Sequence, residues 1–348
     1  MKKTMKPGQL TAALAAVALA TAACGTSDIS DADRGATSGA PATTAAAGDG
    51  CADVAPAEGP VSVTDDLGRT VDLEQPAERV VVLEWQQIED VLSLCLTPVG
   101  VADVEGYSTW VSAEELPDGV ADVGVRGEPN LDAIFSSDPD LVITEVYTED
   151  DPVLKKLEKY DVPVLATIGA DASGSVKKMK DTFSLIAEAT GRTERADAVL
   201  EEFDAKLAEG KQAMADADLP TTDFVYFDGW VDGGNVAIRP FGKGSLVGDL
   251  GEELGLTNVW TGDVDEFYGL GQTDIEGMTK VGDANLLHTG TEDSSGDVFD
   301  ELAKSRVWKQ LPAVVDGRYR AFPEGIWTFG GPRSSMQVID AYVDTLAG

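Results

Sequence analysis

Large aromatic side chains recur in this sequence at the ends of predicted strands or in predicted loops. In an open α/β sheet, the loops beyond the carboxyl ends of the strands form the crevice that binds ligands. Packing in the protein core is the alternative for any one of these side chains, but their number favours a binding cleft. They are Trp85, Trp110, Trp230, Trp260 and Trp327.

The residues needed for catalysis, or for a metal ion held by the protein, are scarce. The chain has one histidine, His288, and three cysteines, too few for a clustered His/Cys metal site. His288 ends an apolar strand without a serine or cysteine nucleophile in a recognisable elbow, so a structural histidine is expected. The segment 242–248 (GKGSLVG) has the wrong glycine spacing for a dinucleotide or phosphate loop. We therefore predict a binding protein, not an enzyme, and no cofactor.

Length and charge restrict the partners. The 348 residues correspond to about two domains at roughly 150 residues each. Lysine and arginine total 26 against 62 aspartates and glutamates, a net charge of −36, which argues against nucleic acid as a partner. In so acidic a chain, neighbouring carboxylates do not by themselves indicate a catalytic site.

The amino terminus is typical of a secretion signal peptide at residues 1–23. Three lysines precede an apolar run that is too short to span a membrane. Cys24 follows two alanines, as in a bacterial lipobox, so we expect it to carry a lipid that anchors the chain to the outer face of the cell membrane. Thr21 departs from the usual leucine or valine, and a cleaved, secreted chain is the alternative. Residues 24–60, poor in large apolar side chains, are predicted to be a flexible linker.

Two further cysteines, Cys51 and Cys95, lie in the predicted extracytoplasmic part. An even pair in an exported chain favours a disulfide. It would join the end of the linker to the first helix of the folded body. The alternative is a buried free thiol at Cys95 and an exposed one at Cys51.

From residue 61 onward the sequence alternates predicted strands and helices. Continuous apolar runs, such as 80–83 and 141–144, are typical of strands buried on both faces of a parallel sheet. The longest helical stretch, 175–216, is interrupted at 190–191, and its first part is amphipathic. We therefore predict two α/β lobes joined by one helix. The predicted domains are the first lobe at 61–174, the interlobe helix at 175–195 and the second lobe at 196–348.

Longer motifs are distributed from residue 61 almost to the carboxyl terminus: 61–71 (VSVTDDLGRTV), 76–85 (PAERVVVLEW), 98–103 (PVGVAD), 122–131 (DVGVRGEPNL), 138–143 (DPDLVI), 258–260 (NVW) and 327–330 (WTFG). Together with Trp110, they resemble the ferric siderophore-binding proteins of ABC importers, and most of all the ferric hydroxamate binders. The resemblance implies two Rossmann-like lobes with mainly parallel sheets, joined by one long rigid helix, with the ligand cleft between the lobes.

The resemblance also implies roles for particular residues. Arg126 matches an arginine that donates hydrogen bonds to the iron-coordinating oxygens of the ligand, and pairing with a surface acid is the alternative. Arg239 stands where an apolar residue is usual and favours a ligand with extra oxygen acceptors or a negative charge. Phe329 replaces a tyrosine and so lacks its hydroxyl. The siderophore itself is expected to fill the coordination shell of the iron, so no protein ligand to a metal is predicted. The other predicted ligand-binding residues are Trp85, Trp110, Tyr147, Trp230, Trp260, Tyr268 and Trp327.

The expected partners are a ferric siderophore, the permease subunits of an ABC importer and, through the lipid, the membrane; the protein is expected to be a monomer. The resemblance places one acidic docking residue at the head of a surface helix in each lobe, Asp132 and Glu276. A carboxylate that only stabilises the start of its helix is the alternative for both. A binder of another chelate, such as cobalamin or haem, is the alternative function, and an exported α/β enzyme is a more distant one.

Overall fold

The structure, a computed structural model, describes residues 50–52, 54–233, 235–289 and 292–348, with the backbone alone at 232 and 292–297. The predicted signal peptide, Cys24 and most of the predicted linker lie outside these residues. The strands of the described part, in chain order, are β1 Val61–Thr64, β2 Thr70–Leu73, β3 Val80–Val82, β4 Gly100–Val101, β5 Ala121–Asp122, β6 Gly124–Val125, β7 Glu128–Pro129, β8 Leu141–Glu145, β9 Val164–Thr167, β10 Asp223–Asp232, β11 Asn235–Phe241, β12 Thr257–Asn258, β13 Asn285–His288 and β14 Tyr319–Ala321.

Helices alternate with these strands, which confirms the α/β class. Several begin at a capping side chain: Asn130 accepts a hydrogen bond from the Ala133 amide, and Asp151 accepts from the amides of Val153 and Leu154. No helix in the described ranges is long and apolar enough to cross a membrane. The α-helices are α1 Trp85–Ser93, α2 Val104–Trp110, α3 Leu131–Ser136, α4 Pro152–Leu157, α5 Ser175–Ala189, α6 Thr193–Asp216, α7 Leu246–Glu253, α8 Glu292–Lys304, α9 Pro312–Val315 and α10 Pro332–Leu346.

Each lobe contains one five-stranded sheet. The first has the order β5-β4-β3-β8-β9, and all its pairings are parallel. The second has the order β11-β10-β13-β14, with β12 also paired to β10. Its one antiparallel pairing joins β10 to β11, because the two residues between these strands are too few for a crossover. The mainly parallel character that we predicted is therefore confirmed.

Helices α5 and α6 both contribute to the cores of the two lobes. In α5, Phe183 packs in the first core and Met179 in the second; in α6, Val199 packs in the first and Phe203 in the second. The interruption predicted at 190–191 is present, since α5 ends at Ala189 and α6 begins at Thr193. Core residues of the first lobe thus continue past residue 195 into α6.

The last residues of the predicted linker lie against the folded body. Cys51 and Cys95 form a disulfide with their Cα atoms 5.4 Å apart, the pairing that the sequence predicts. The Ala57 amide donates to the Gly191 carbonyl over 2.8 Å, and the Gly59 amide donates to the side chain of Gln75 over 3.1 Å. Covalent and hydrogen-bonded attachment thus begins about ten residues before the predicted end of the linker at residue 60.

Candidate ligand-binding cleft

Two adjoining cavities of about 310 and 320 Å³ lie between the lobes. Arg126, Arg239, Trp327 and Phe329 line both of them, so the two cavities form one continuous cleft. The first lobe supplies one wall and the second lobe the other. This volume suits a small molecule.

The first-lobe wall is built at the carboxyl ends of two neighbouring parallel strands, β3 and β8. Glu84 follows β3 and accepts a hydrogen bond from the Trp85 amide at the start of α1. Glu145 is the last residue of β8, which pairs with β3. Because adjacent parallel strands end at one edge of a sheet, these two carboxylates meet at the cleft, and both line the smaller cavity.

Arg126 lies in the turn between β6 and β7, and its guanidinium stacks on the cleft aromatics. Its guanidinium carbon is 3.7 Å from the centroid of the Trp85 ring and 5.5 Å from that of Trp327, which is cation–π geometry. Nη1 donates to Oε1 of Glu84 over 2.6 Å. Nε and Nη2 have no partner among the described residues, so they are available to a ligand.

Arg239 is held by a carboxylate directly opposite it on the neighbouring strand. Asp228 on β10 is the register partner of Arg239 on β11. Nε of Arg239 donates to one oxygen of Asp228 over 2.8 Å, and Nη2 donates to the other. This two-point pair satisfies the guanidinium charge within the protein. The role predicted for Arg239, favouring a ligand with extra oxygen acceptors or a negative charge, stays a prediction.

A hydrogen-bonded triad closes one end of the cleft. Oε1 of Glu145 lies 2.7 Å from the hydroxyls of both Tyr147 and Tyr268, and the two hydroxyls are 2.8 Å apart. Glu145 and Tyr147 belong to the first lobe and Tyr268 to the second. Burial, followed by the charge of Glu145, raises the pKa of both phenols. The triad thus joins the lobes through neutral donors and one carboxylate.

The carboxyl of Glu84 has a raised pKa. Burial is the largest cause and the nearby Glu145 charge the second, while Arg126 opposes both. Two carboxylates therefore interact across the smaller cavity, and only one of them is paired with a guanidinium.

The cleft aromatics form one connected group. Trp327 packs edge-on against Trp85 at 4.7 Å between ring centroids, against Trp110 at 6.4 Å and against Phe329 at 5.1 Å. Trp230 lies at the rim and is 43% exposed. The rings thus offer a broad apolar surface beside the N–H groups of Arg126.

Most of the predicted ligand-binding residues meet at this cleft, and two do not line it. The Trp260 ring packs over Gly262 and Gly271 in the second lobe, and the Tyr147 hydroxyl is hydrogen-bonded to the lining residues Glu145 and Tyr268. The predicted residues that line the cavities are Trp85, Trp110, Arg126, Trp230, Arg239, Tyr268, Trp327 and Phe329.

The acidic residues of the cleft are not among the predicted site residues. Glu84, Glu145 and Asp228 line the cavities, yet they were not separated from the many other carboxylates of the chain. Glu84 and Glu145 are at the carboxyl ends of predicted parallel strands, where a ligand crevice is expected, and that position was the signal available. Gln86, Tyr226 and Thr289 are further lining residues that were missed.

In the part of the chain that the structure describes, no group of three or more His, Cys, Asp or Glu side chains is arranged to hold a metal ion. His288 packs against Phe299, with 4.0 Å between ring centroids, and burial lowers its pKa to about 4. Asp132 and Glu276, the predicted docking residues, are both exposed. Asp132 lies in the first turn of α3, whereas Glu276 directly precedes a short 3₁₀ helix, Gly277–Val281, instead of an α-helix.

Comparison with known proteins identifies the class to which this fold and cleft correspond. Residues 80–324 match the periplasmic binding protein family, and the chain belongs to that family. The chain is 26% identical over 275 residues to the iron(3+)-hydroxamate-binding protein FhuD of Escherichia coli K12, covering 78% of this chain and 87% of that protein. It is 30% identical over 297 residues to the putative ABC transporter substrate-binding lipoprotein YhfQ of Bacillus subtilis 168, covering 82% and 87%.

Solved structures show the same fold. The siderophore-binding protein FhuD of Vibrio cholerae, bound to Fe³⁺–Desferal, superimposes with a TM-score of 0.67 at 25% identity. The superposition covers 78% of this chain and 98% of the other. The two-lobed architecture predicted from the sequence is thereby confirmed.

Proposed function

We propose that this protein is the extracytoplasmic solute-binding component of an ABC importer and that it captures a ferric siderophore of the hydroxamate type. The observation on which the proposal depends is the placement of Arg126. Its guanidinium lies over the Trp85 ring and is held at Nη1 by Glu84, and Nε and Nη2 have no partner among the described residues. The hydroxamate-binding and Desferal-binding relatives support this ligand class.

The chemistry of the cleft suits a ferric hydroxamate. Three hydroxamates satisfy the octahedral oxygen preference of the iron, so the protein needs to bind only the periphery of the chelate. The free N–H groups of Arg126 would donate to hydroxamate oxygens that carry partial negative charge. The rings of Trp110 and Trp327 would cover the apolar methylene segments between the hydroxamates.

Delivery to the membrane completes the proposal. We propose that Cys24 is lipidated and anchors the chain at the outer face of the cell membrane, and that the linker lets the folded body reach its permease. Asp132 and Glu276 would each enter a basic pocket of a permease subunit. Their exposure, one in each lobe, supports this role.

A ligand panel tests the proposed function. The purified folded body, residues 50–348, is titrated by calorimetry with ferrioxamine B, ferrichrome, ferric enterobactin, haem and cobalamin. We expect one-to-one binding of at least one hydroxamate chelate, tighter than binding of the other three classes. Tighter binding of haem, cobalamin or the catecholate would contradict the hydroxamate assignment.

A further inference from the structure

Not every charged side chain at the cleft has an ion-pair partner. Each guanidinium is paired with a carboxylate, Arg126 with Glu84 and Arg239 with Asp228. Glu145 has no ion-pair partner in the described part of the chain, and only the neutral hydroxyls of Tyr147 and Tyr268 donate to it. The cleft therefore presents one uncompensated negative charge.

The carboxylate of Glu145 packs against Gly169, and only one of its two oxygens accepts a hydrogen bond from the described residues. Oε1 accepts both phenol hydrogen bonds, whereas Oε2 has no hydrogen-bond partner among the described residues. Glu145 lines the cavity of about 310 Å³ together with Arg126 and Trp327. Its charge also acts on Glu84 across that cavity, because it contributes to the raised pKa of the Glu84 carboxyl. A cation bound there would relieve this repulsion.

We infer that Glu145 binds a cationic group of the ligand, such as a primary ammonium, and that the cleft selects ferric chelates that bear one. The inference rests on the proposed function, and it specifies the ligand further. A ferric tris-hydroxamate is neutral at its core, so a pendant ammonium makes the whole chelate a cation. Chelates with several negative charges find no unpaired guanidinium among the described cleft residues and meet the carboxylate of Glu145.

The existing ion pairs explain why Glu145, and not another carboxylate of the cleft, binds the ligand cation. Binding a ligand cation at Glu84 or Asp228 would compete with Arg126 or Arg239, which already occupy those carboxylates. At Glu145 the ligand adds an ion pair without displacing one. The phenols would stay in place, because they donate to Oε1 and no described residue donates to Oε2.

A matched pair of chelates tests this inference. Ferrioxamine B carries one pendant primary ammonium, and its N-acetyl derivative carries the same iron centre without that charge. A charge-assisted hydrogen bond in a partly desolvated site changes affinity by roughly tenfold to a hundredfold. We therefore expect the wild-type protein to bind ferrioxamine B at least about tenfold more tightly than the acetylated chelate. The preference should weaken as salt concentration rises.

The variant Glu145→Gln keeps the size of the side chain and removes its charge. We expect the preference for ferrioxamine B over the acetylated chelate to fall to within about twofold of unity. Glu201→Gln, an exposed position on α6, removes the same charge outside the cleft and should keep the wild-type preference.

Three results would overturn the inference. They are equal binding of the two chelates by the wild-type protein, an undiminished preference in Glu145→Gln, and an equal loss of the preference in Glu201→Gln. The result for the acetylated chelate separates this failure from that of the proposed function. If the wild-type protein binds it but shows no preference, only the role of Glu145 is wrong. If neither chelate binds, the inference fails, and the proposed function fails too when ferrichrome also does not bind.

Discussion

The guanidinium of Arg126 lies 3.7 Å from the ring centroid of Trp85, although 41 positions separate the two residues in the chain. Trp85 is 4% exposed and anchored in the core of the first lobe, so the ring that supports Arg126 is fixed by packing. Glu84 then sets the rotation of the guanidinium by accepting from Nη1. The side chain is thus oriented before a ligand arrives, which lowers the entropy cost of binding.

Arg126→Ala is expected to weaken binding of the ferric hydroxamate by about tenfold or more, because losing about 1.4 kcal/mol of charged hydrogen bonding is a factor of ten. Arg126→Lys should recover only part of this loss, since an ammonium lacks the planar fork of donors. Isothermal titration calorimetry measures both. Arg320→Ala, at a position outside the cleft, serves as the control. A dissociation constant for Arg126→Ala within twofold of wild type would show that Arg126 does not contribute to ligand binding.

Ligand binding is expected to quench tryptophan emission strongly, because the ferric chelate absorbs in the near ultraviolet and would lie beside Trp110 and Trp327. Trp327→Phe should reduce the quenched fraction of the emission. Trp260→Phe should not reduce it, because Trp260 does not line either cavity. Fluorescence titration with parallel calorimetry tests this placement. Binding seen by calorimetry without quenching would show that the chelate does not sit against these rings.

His288 should stay neutral down to about pH 5, since burial lowers its pKa to about 4 in the folded protein. Between its ordinary pKa of about 6.5 and that value, the unfolded chain binds a proton that the folded chain does not. Stability is therefore lost as the pH falls through this window, by up to about 3 kcal/mol. Because the chain has one histidine, its imidazole NMR signals report the titration directly. A titration midpoint of the imidazole near pH 6.5 in the folded protein would contradict the burial of His288.

Glu89 should contribute a pH dependence of the opposite sign. It is buried at the interface of α1 and α10, where it accepts from the amide and hydroxyl of Ser334, and burial raises its pKa to about 7. Between pH 4.5 and 7 the folded state binds a proton that the unfolded state releases, so this contribution to stability is present below pH 4.5 and lost as the pH rises to 7.

The variant Glu89→Gln cannot ionise and should lack this loss. Relative to wild type, its free energy of unfolding should rise by about 2–3 kcal/mol between pH 4 and pH 8. Urea unfolding at several pH values measures the difference. Glu201→Gln, at an exposed position, is the control and should show no such change. If the free energy of unfolding changed with pH in the same way for wild type and Glu89→Gln, the raised pKa of Glu89 would be refuted.

Combined replacement of Asp132 and Glu276 by alanine should abolish iron uptake while leaving ligand binding intact. Both carboxylates are exposed and outside the cleft, so the melting temperature should stay within a few degrees of wild type. Uptake of radioactive iron as the chelate, in cells lacking the native copy, measures delivery. The control is the pair Asp132→Glu and Glu276→Asp, which keeps both charges. Full uptake by the alanine variant at wild-type expression would show that the carboxylates do not dock.

The strands and helices of the first lobe were predictable because buried elements require apolar residues at regular positions that are close in sequence. The apolar runs at 80–83 and 141–144 became the parallel strands β3 and β8, and the break at 190–191 separates α5 from α6. The pairing of strands is less local. The long antiparallel hairpin of β10 and β11 depends on hydrogen bonding between the two strands.

The cleft shows the same division between local pattern and tertiary contact. Its tryptophan positions were indicated by predicted strand ends and loops, and its arginine positions by the resemblance to siderophore-binding proteins. Trp260 and Trp327 look alike in sequence, and only packing places the first over Gly262 and Gly271 and the second at the cavity.

The charge balance of the cleft was decided by tertiary structure alone. Arg126 meets Glu84 across 42 positions, and Glu145 meets Tyr268 across 123. Composition supplied many carboxylates, and no periodicity distinguishes one that pairs with a cleft arginine from one that faces solvent. Electrostatic interaction depends on distance and burial in space, so which charges cancel, and which one remains for a ligand, emerges only when the two lobes are packed together.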